Sequence, residues 1–315
     1  MRASLKEAYG EVWFIGSLDR TEASGEARMS YYRMLGLDRE PFSTSPDPAF
    51  FYLSPQYRAT LANLIIEFRL KRGLSVVLGD IGTGKTTLGR KLIQMLRERN
   101  GFVFHMILDP TYPSLELFFE ALMRTLGAQV SGEHPSLVDY REALEQYLFW
   151  RGVEQRQTVV LIIDEAHKLS PMTLEALRVL LNYETNEAKL LQLVLLGQME
   201  LLPILRSMPN LADRVSLKCV LKPLSLEETH QMIQFRLNEA GYRSWLPLFS
   251  ERAVEEIWRY TEGYPRAIAM LCHQALRHLV MRQGRMVEED LIEELIHKET
   301  QIQWGRIGRL QKSSC

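Results

Sequence analysis

The sequence is poor in cysteine, in net charge and in long apolar runs. Its three cysteines, Cys219, Cys272 and Cys315, lie far apart and form no C-x-x-C pair. That argues against a disulfide framework and a cysteine zinc site, and leads us to expect a reducing, cytoplasmic setting. A formal net charge of −1 supplies no global pull toward nucleic acid or anionic membrane, so any contact with DNA would need a local basic patch. No stretch reaches ~18 uninterrupted apolar residues, and Met1–Arg20 lacks the apolar core of a signal peptide, so no direct membrane insertion is expected. The richest apolar stretch, Leu190–Leu205, is broken by Gln192, Gln198 and Glu200 and reads as a buried strand followed by a helix. Internal repeats and long low-complexity segments are missing too.

A chain of 315 residues has room for one large domain or two ordinary ones of about 100–200 residues. Residues 1–29 are polar, show no sustained periodicity and are expected to form a flexible leader, which leaves Met1 and Met29 both open as the start. Pro41, Pro46 and Pro48, set among Phe42, Phe50, Phe51 and Tyr52, favour an extended segment anchored by rings. A helix should follow over Pro55–Arg72. Strand candidates then come at Leu74–Leu78, Phe102–Leu108, Thr158–Ile163, Leu190–Leu196 and Val215–Leu221. Helical stretches near Lys85–Arg99, Ser114–Leu126, Val138–Arg151 and Met172–Tyr183 separate them. Short apolar strands alternating with helices predict an α/β fold, a parallel five-stranded sheet flanked by helices. Past Pro223 the strands stop. Glu227–Ala240, Glu251–Tyr260, Pro265–Met281 and Glu288–Thr300 read as helices, a small C-terminal all-α domain.

Gly79-Asp80-Ile81-Gly82-Thr83-Gly84-Lys85-Thr86 fits G-x-x-x-x-G-K-[ST] at every required position, between a strand and a helix. Glycines let several N–H groups point into one hollow, and the following helix adds the positive end of its dipole, so the segment suits a polyphosphate. Lys85 is expected to neutralise the β- and γ-phosphates of ATP, and the Thr86 hydroxyl to bind Mg²⁺. Thr87 either assists at the α-phosphate or is an ordinary first-turn residue.

Val159–Ile163 is an apolar run that ends in Asp164 and Glu165. Side chains on a strand alternate sides, so the two carboxylates should diverge. That assigns Asp164 to Mg²⁺ and Glu165 to orienting and deprotonating the attacking water. The plainer alternative is that Asp164 caps the next helix and Glu165 is a solvated acid. His167 is expected at a surface or interface, with a γ-phosphate contact as the alternative.

Together with Ile162-Ile163-Asp164-Glu165-Ala166-His167, the phosphate loop resembles the AAA+ superfamily of P-loop ATPases. Tyr31-Tyr32, Leu35-Gly36-Leu37, Pro41-Phe42, Pro46-Asp47-Pro48, Leu181–Thr185 and Leu196-Gly197-Gln198 resemble the ExeA-type ATPases of the general secretion pathway, over about Ser30–Ile296. Transposition regulators of the TnsC and TniB kind are similar in the core. The implied layout is a leader at 1–29, an α/β nucleotide-binding domain at 30–222, a helical lid at 223–301 and a tail at 302–315.

The resemblance also implies further site residues. Gln198 falls where such ATPases keep a polar sensor, although Met199 departs from the usual Gly-Gln-Pro-Glu-Leu. Arg214, with Arg206 as its rival, falls where an arginine can reach a neighbouring subunit's nucleotide; a surface salt bridge is the alternative for both. Arg266, in Gly263-Tyr264-Pro265-Arg266, matches the second sensor or is a helix-end cation. Asn182 and Glu184 either couple nucleotide state to a partner or cap a helix. Phe42, Pro46 and Tyr57 border the adenine or simply pack.

The expected function is an ATP-hydrolysing, self-associating protein that assembles or remodels a protein partner in a secretion or pilus-type system. Secretion members carry a membrane span and a cell-wall-binding region after the core. None is read before Cys315, so attachment to the inner membrane would be peripheral, through a partner. The alternative is a DNA-associated transposition regulator, with Lys71, Arg72, Arg90, Lys91, Arg97 and Arg99 as a phosphate-binding stripe or, more plainly, a solvated helix face. A non-hydrolysing nucleotide switch is the third reading, and Glu165 argues against it.

Overall fold

A computed structural model describes residues 30–97, 101–130, 132, 135–186 and 188–301. The expected leader and tail, Arg99 and Cys315 lie outside the described residues. The five apolar runs pair as parallel strands: β1 (Leu74–Gly79), β2 (Phe102–Ile107), β3 (Thr158–Ile163), β4 (Leu191–Gly197) and β5 (Val215–Leu221). Their order across the sheet is β2-β3-β4-β1-β5. The central strands β1, β3 and β4 are buried along their whole length. That explains why they read as unbroken apolar runs, because helices cover both faces. At the edge, β5 alternates exposed and covered residues, as a half-solvated strand should.

Before the sheet come α1 (Tyr31–Met34) and α2 (Pro55–Arg69). Between strands lie α3 (Lys85–Leu96), α4 (Leu115–Leu126), α5 (Leu137–Phe149), α6 (Pro171–Leu180), α7 (Leu201–Arg206) and α8 (Pro209–Ala212). After β5 follow α9 (Leu226–Glu239), α10 (Glu251–Thr261), α11 (Pro265–Met281) and α12 (Glu289–Gln301). The short α1 and α8, one turn each, have no counterpart in the sequence reading, since four residues are too few to show a period. Among the described residues no helix is long and apolar enough to cross a membrane.

Strand alternation divides the core. Val77, Val160, Ile162, Val194 and Leu196 face α2, α3 and the C-terminal helices in one cluster. Val76, Leu161, Ile163, Leu193 and Leu195 face α4 to α7 in the other. The first cluster runs without a break into Met232, Ile257, Cys272 and Ile292, so the helices after β5 are packed on the sheet side rather than standing apart.

His105 on β2 ties the second face together. Its Nδ1 lies 2.9 Å from the Thr125 carbonyl, and its Nε2 lies 2.9 Å from the Tyr147 hydroxyl. A carbonyl only accepts, so Nδ1 carries the proton and Nε2 accepts from Tyr147, a pairing that uses both nitrogens of the neutral ring. Burial lowers the pKa of His105, and nearby Arg151 lowers it further, against the opposing pull of the Thr125 bond. The unfolded chain therefore takes up this proton more readily than the folded one. Stability from His105 is present above the ordinary histidine range near pH 6.5 and is lost as pH falls through it. We predict that His105→Asn lowers stability at pH 7.5 by about 1–3 kcal/mol and flattens the loss between pH 7.5 and 5.5; urea unfolding at the two pH values measures both.

Candidate nucleotide site

The chain leaves β1 for β2 on one side of the sheet and returns to β5 on the other, so β1 is where the connections diverge. In parallel sheets ligands bind at the carboxyl ends of strands at such a point. Pairing of Leu78 with Gly197 and of Ile163 with Leu195 brings the ends of β1, β4 and β3 together there. Gly79–Thr86, Asp164, Glu165 and Gln198 follow directly from those ends.

The loop from Gly79 to Gly84 turns back over the strand. Gly82 and Gly84 hold φ values of +85° and +86°, a region that costs any residue with a Cβ and leaves glycine unstrained. Thr83, fully buried, folds its hydroxyl onto the Asp80 carbonyl at 2.8 Å. From outside, the Tyr57 hydroxyl donates to the Thr83 carbonyl at 2.7 Å, and the Phe51 ring stands 3.4 Å from where a Gly84 Cβ would be. Tyr57 and Phe51 thus buttress the loop.

Lys85 opens α3, and its ammonium donates to the Gly79 and Asp80 carbonyls at 2.8 and 3.0 Å. Burial lowers its pKa, while the charges of Glu165, Asp164, Asp80 and Glu200 pull it back up. The next residue, Thr86, donates from Oγ1 to Asp164 Oδ2 at 2.5 Å. Asp164 is 2% exposed; burial raises its pKa, and the Thr86 bond opposes that rise.

The two acids do diverge, but not by strand alternation, because β3 stops at Ile163. Asp164 Oδ1 accepts from the Glu165 N–H at 2.9 Å, and Glu165 takes a left-handed φ of +51°. That turn, rare for a residue with a Cβ, sends the Glu165 side chain toward the end of β4. There Glu165 Oε2 meets Gln198 Nε2 at 3.4 Å and His167 Nε2 at 3.5 Å. The His167 side chain is largely covered, 14% exposed. Its Nδ1 lies 3.4 Å from the Gln198 main-chain nitrogen and its Nε2 lies 3.2 Å from Gln198 Nε2, so both ring nitrogens face Gln198. The contact crosses from β3 to β4, so spacing along the sequence does not show it.

One cavity of about 450 Å³ joins Lys85, Thr86, Thr87, Glu165, Gln198 and Arg266 to residues of the Ser43–Tyr52 segment. Arg266, exposed on α11, gives its main-chain N–H to the Gly82 carbonyl at 3.2 Å. The neighbouring Tyr264 hydroxyl donates to Asp80 Oδ2 at 2.9 Å. The C-terminal helices therefore touch the phosphate loop directly. Phe42 is buried in the core; Pro46 and Tyr57 line the cavity.

Other expected residues stand elsewhere. Arg214 precedes β5 at the amino ends of the strands, away from the phosphate loop; hydrogen bonds from Arg178 and Lys189 hold the carboxyls of Glu175 and Glu184 down, and the Arg214 charge adds to both. Neither Arg214 nor Arg206 lines the cavity. Glu184 pairs with Lys189 at 2.6 Å, and Asn182 is exposed in the turn after α6. The expected basic stripe is broken, because Arg90 and Lys91 donate to the Pro46 and Pro48 carbonyls, each at 3.3 Å. Two of its cations are spent on the chain itself.

A family model described as an AAA domain matches residues 69–205. General secretion pathway protein A of Aeromonas hydrophila is 34% identical over 255 residues, which span 78% of this chain and 44% of that protein. Residues 69–205 are an AAA domain of the P-loop kind. The ExeA-type resemblance is borne out with it, although this chain spans less than half the length of its relative. Solved structures carry the same fold. ORC2 of Aeropyrum pernix, in ADPNP–ADP complexes, superposes with a TM-score of 0.62 at 17% identity, over 83% of this chain and 71% of that one. Cdc6p of Pyrobaculum aerophilum gives 0.62 at 17%, over 78% and 67%. The RuvB branch migration motor of Thermotoga maritima gives 0.52 at 16%, over 77% and 68%.

The AAA+ fold implies nucleotide binding, with Mg²⁺ typical, and the site's donors suit that cation. Thr86 and Asp164 are hard oxygen donors from two different elements that meet within 2.5 Å. Among the described residues no cluster of three or more His, Cys, Asp or Glu could hold a metal. A cation held by one carboxylate and one hydroxyl, with phosphate and water completing its shell, is the pattern of Mg²⁺ rather than of a metal in a protein cage.

Proposed function

We propose that this protein binds ATP with Mg²⁺ in the cavity and hydrolyses it to ADP and phosphate. The observation that carries the reading is the meeting of Thr86 and Asp164 at 2.5 Å, with Glu165 and Gln198 beside them. Main-chain N–H groups of the Gly79–Gly84 loop and the Lys85 ammonium hold the phosphates. Bound Mg²⁺ would neutralise charge on the β- and γ-phosphate oxygens. Glu165 accepts the water's proton on a carboxylate oxygen, and Gln198 and His167 orient that carboxylate. Arg266 reports closure of the helices 223–301 over the phosphates, as the lid of an α/β domain at 30–222.

The same proposal extends to assembly. Copies of the chain associate so that Arg214 of one completes the site of the next, and turnover drives assembly or remodelling of a protein partner in a secretion or pilus-type system. The name of the Aeromonas relative supports that setting. Arg214 lines no part of its own cavity, which gives a clean test. Arg214→Ala and Glu165→Gln should each lose turnover, and a mixture of the two should regain part of it, because some interfaces then pair an intact Glu165 with an intact Arg214. Phosphate release from the variants and their mixture is the measurement. Full activity of Arg214→Ala alone, or a mixture as inert as its components, sinks the shared site.

A further inference from the structure

The segment from Pro41 to Tyr52 is held from both sides by cations that bond to its carbonyls. From the α3 side, Arg90 takes the Pro46 carbonyl and Lys91 the Pro48 carbonyl, each at 3.3 Å. From the α9 side a single guanidinium does more. Arg236 donates from Nε to the Phe50 carbonyl at 3.2 Å, and from Nη1 to the Pro41 and Ser43 carbonyls at 3.4 and 3.3 Å. The segment is folded around this one side chain. Among the described residues no carboxylate forms an ion pair with Arg236, and burial pushes its pKa down to about 10, so it remains charged at neutral pH.

Arg236 also lines the cavity, one turn beyond Met232 on the same face of α9. Phosphates held at Lys85 and Thr86 would direct the base of a nucleotide away from the loop. Besides the phosphate loop, the cavity is lined by Ser43–Pro46 and by Leu224, Met232 and Ala269. Apolar side chains and a length of chain thus line one cavity, a surface that suits a flat purine. We infer that Arg236 is a positioning residue for the base: it fixes the 41–50 segment against α9 and so builds the wall the base rests on. The inference rests on the proposed nucleotide binding. Arg236 acts through main-chain carbonyls, not as a counter-charge to phosphate, because its Nε and Nη1 donors are committed to the segment. A lysine cannot replace it fully, since one ammonium nitrogen does not reproduce the planar fork that reaches three acceptors.

Titration of the intact protein with ATP and with inorganic tripolyphosphate, in the presence of Mg²⁺, separates base from phosphate. Arg236→Met should raise the Kd for ATP about tenfold or more, the scale of a lost charge-assisted hydrogen bond, and leave the tripolyphosphate Kd unchanged. Arg236→Lys should fall between. An unchanged ATP Kd, or an equal loss for both ligands, overturns the inference, the second outcome marking a purely structural side chain. If Arg236→Met does not give a folded circular dichroism spectrum, Arg90→Met loosens the same segment from the α3 side and should show the same selective loss; no selective loss there overturns the inference. Wild-type protein that binds neither ligand removes the nucleotide reading itself and this inference with it, a result distinct from the others.

Discussion

Glu165→Gln should lower the rate of ATP hydrolysis about a hundredfold or more and leave ATP affinity within twofold. The asymmetry follows from what Glu165 touches. Its carboxylate meets Gln198 and His167, and it forms no hydrogen bond to the phosphate loop among the described residues. Glutamine has the same length and tolerates the left-handed φ of +51° no worse than glutamate, so the turn after β3 keeps its shape. Its amide oxygen can still accept from Gln198 Nε2, as the Glu165 carboxylate does. The one property removed is the ability to take a proton from water. Steady-state phosphate release and calorimetric titration with a slowly hydrolysed ATP analogue give the two numbers. Retained turnover would move the base to another residue, and lost affinity would mean that Glu165 organises the loop. Within an oligomer this variant should also persist in its ATP-bound assembly, which size-exclusion chromatography detects.

How much of this was readable beforehand depends on sequence distance. The three central strands were plain because burial on both faces turns them into continuous apolar runs such as Val159–Ile163. The phosphate loop was plain because all its donors come from eight consecutive residues. Asp164 and Glu165 diverge, but through a left-handed residue just past the strand rather than through alternation, and no pattern of polarity announces that. His167 and Gln198 are 31 residues apart in the chain and meet only because β3 and β4 are neighbours in the sheet. Arg236 is the extreme case. Its acceptors lie 186 to 195 residues earlier, and within its own helix it is indistinguishable from any arginine on a solvated face. Arg90 and Lys91 erred in the other direction, since a run of cations looks alike whether its charges meet solvent or carbonyls. Side-chain roles fixed by main-chain acceptors from distant segments are the class of contact that composition and spacing miss.

Lys85→Ala is the second large effect, and it should act on binding where Glu165→Gln acts on rate. The Lys85 side chain is buried with its ammonium on two loop carbonyls, Gly79 and Asp80, which fixes the charge at the mouth of the loop and leaves a third donor free to turn toward phosphate. Asp80, Asp164 and Glu165 all act on it through their charges. Without the cation those acids remain facing a polyanion, so the variant loses attraction and exposes repulsion in the same step. ATP affinity should fall about a hundredfold or more, the cumulative scale of two charge-assisted hydrogen bonds. Lys85→Arg should not restore it, because a planar guanidinium does not reproduce the single nitrogen that meets both the Gly79 and Asp80 carbonyls. Tripolyphosphate should lose as much affinity as ATP, the reverse of the pattern expected for Arg236. Opposite ligand profiles from two cations lining one cavity would fix which end holds phosphate and which holds base. Equal profiles would mean that Arg236 supports the fold alone and that only the phosphate end is assigned.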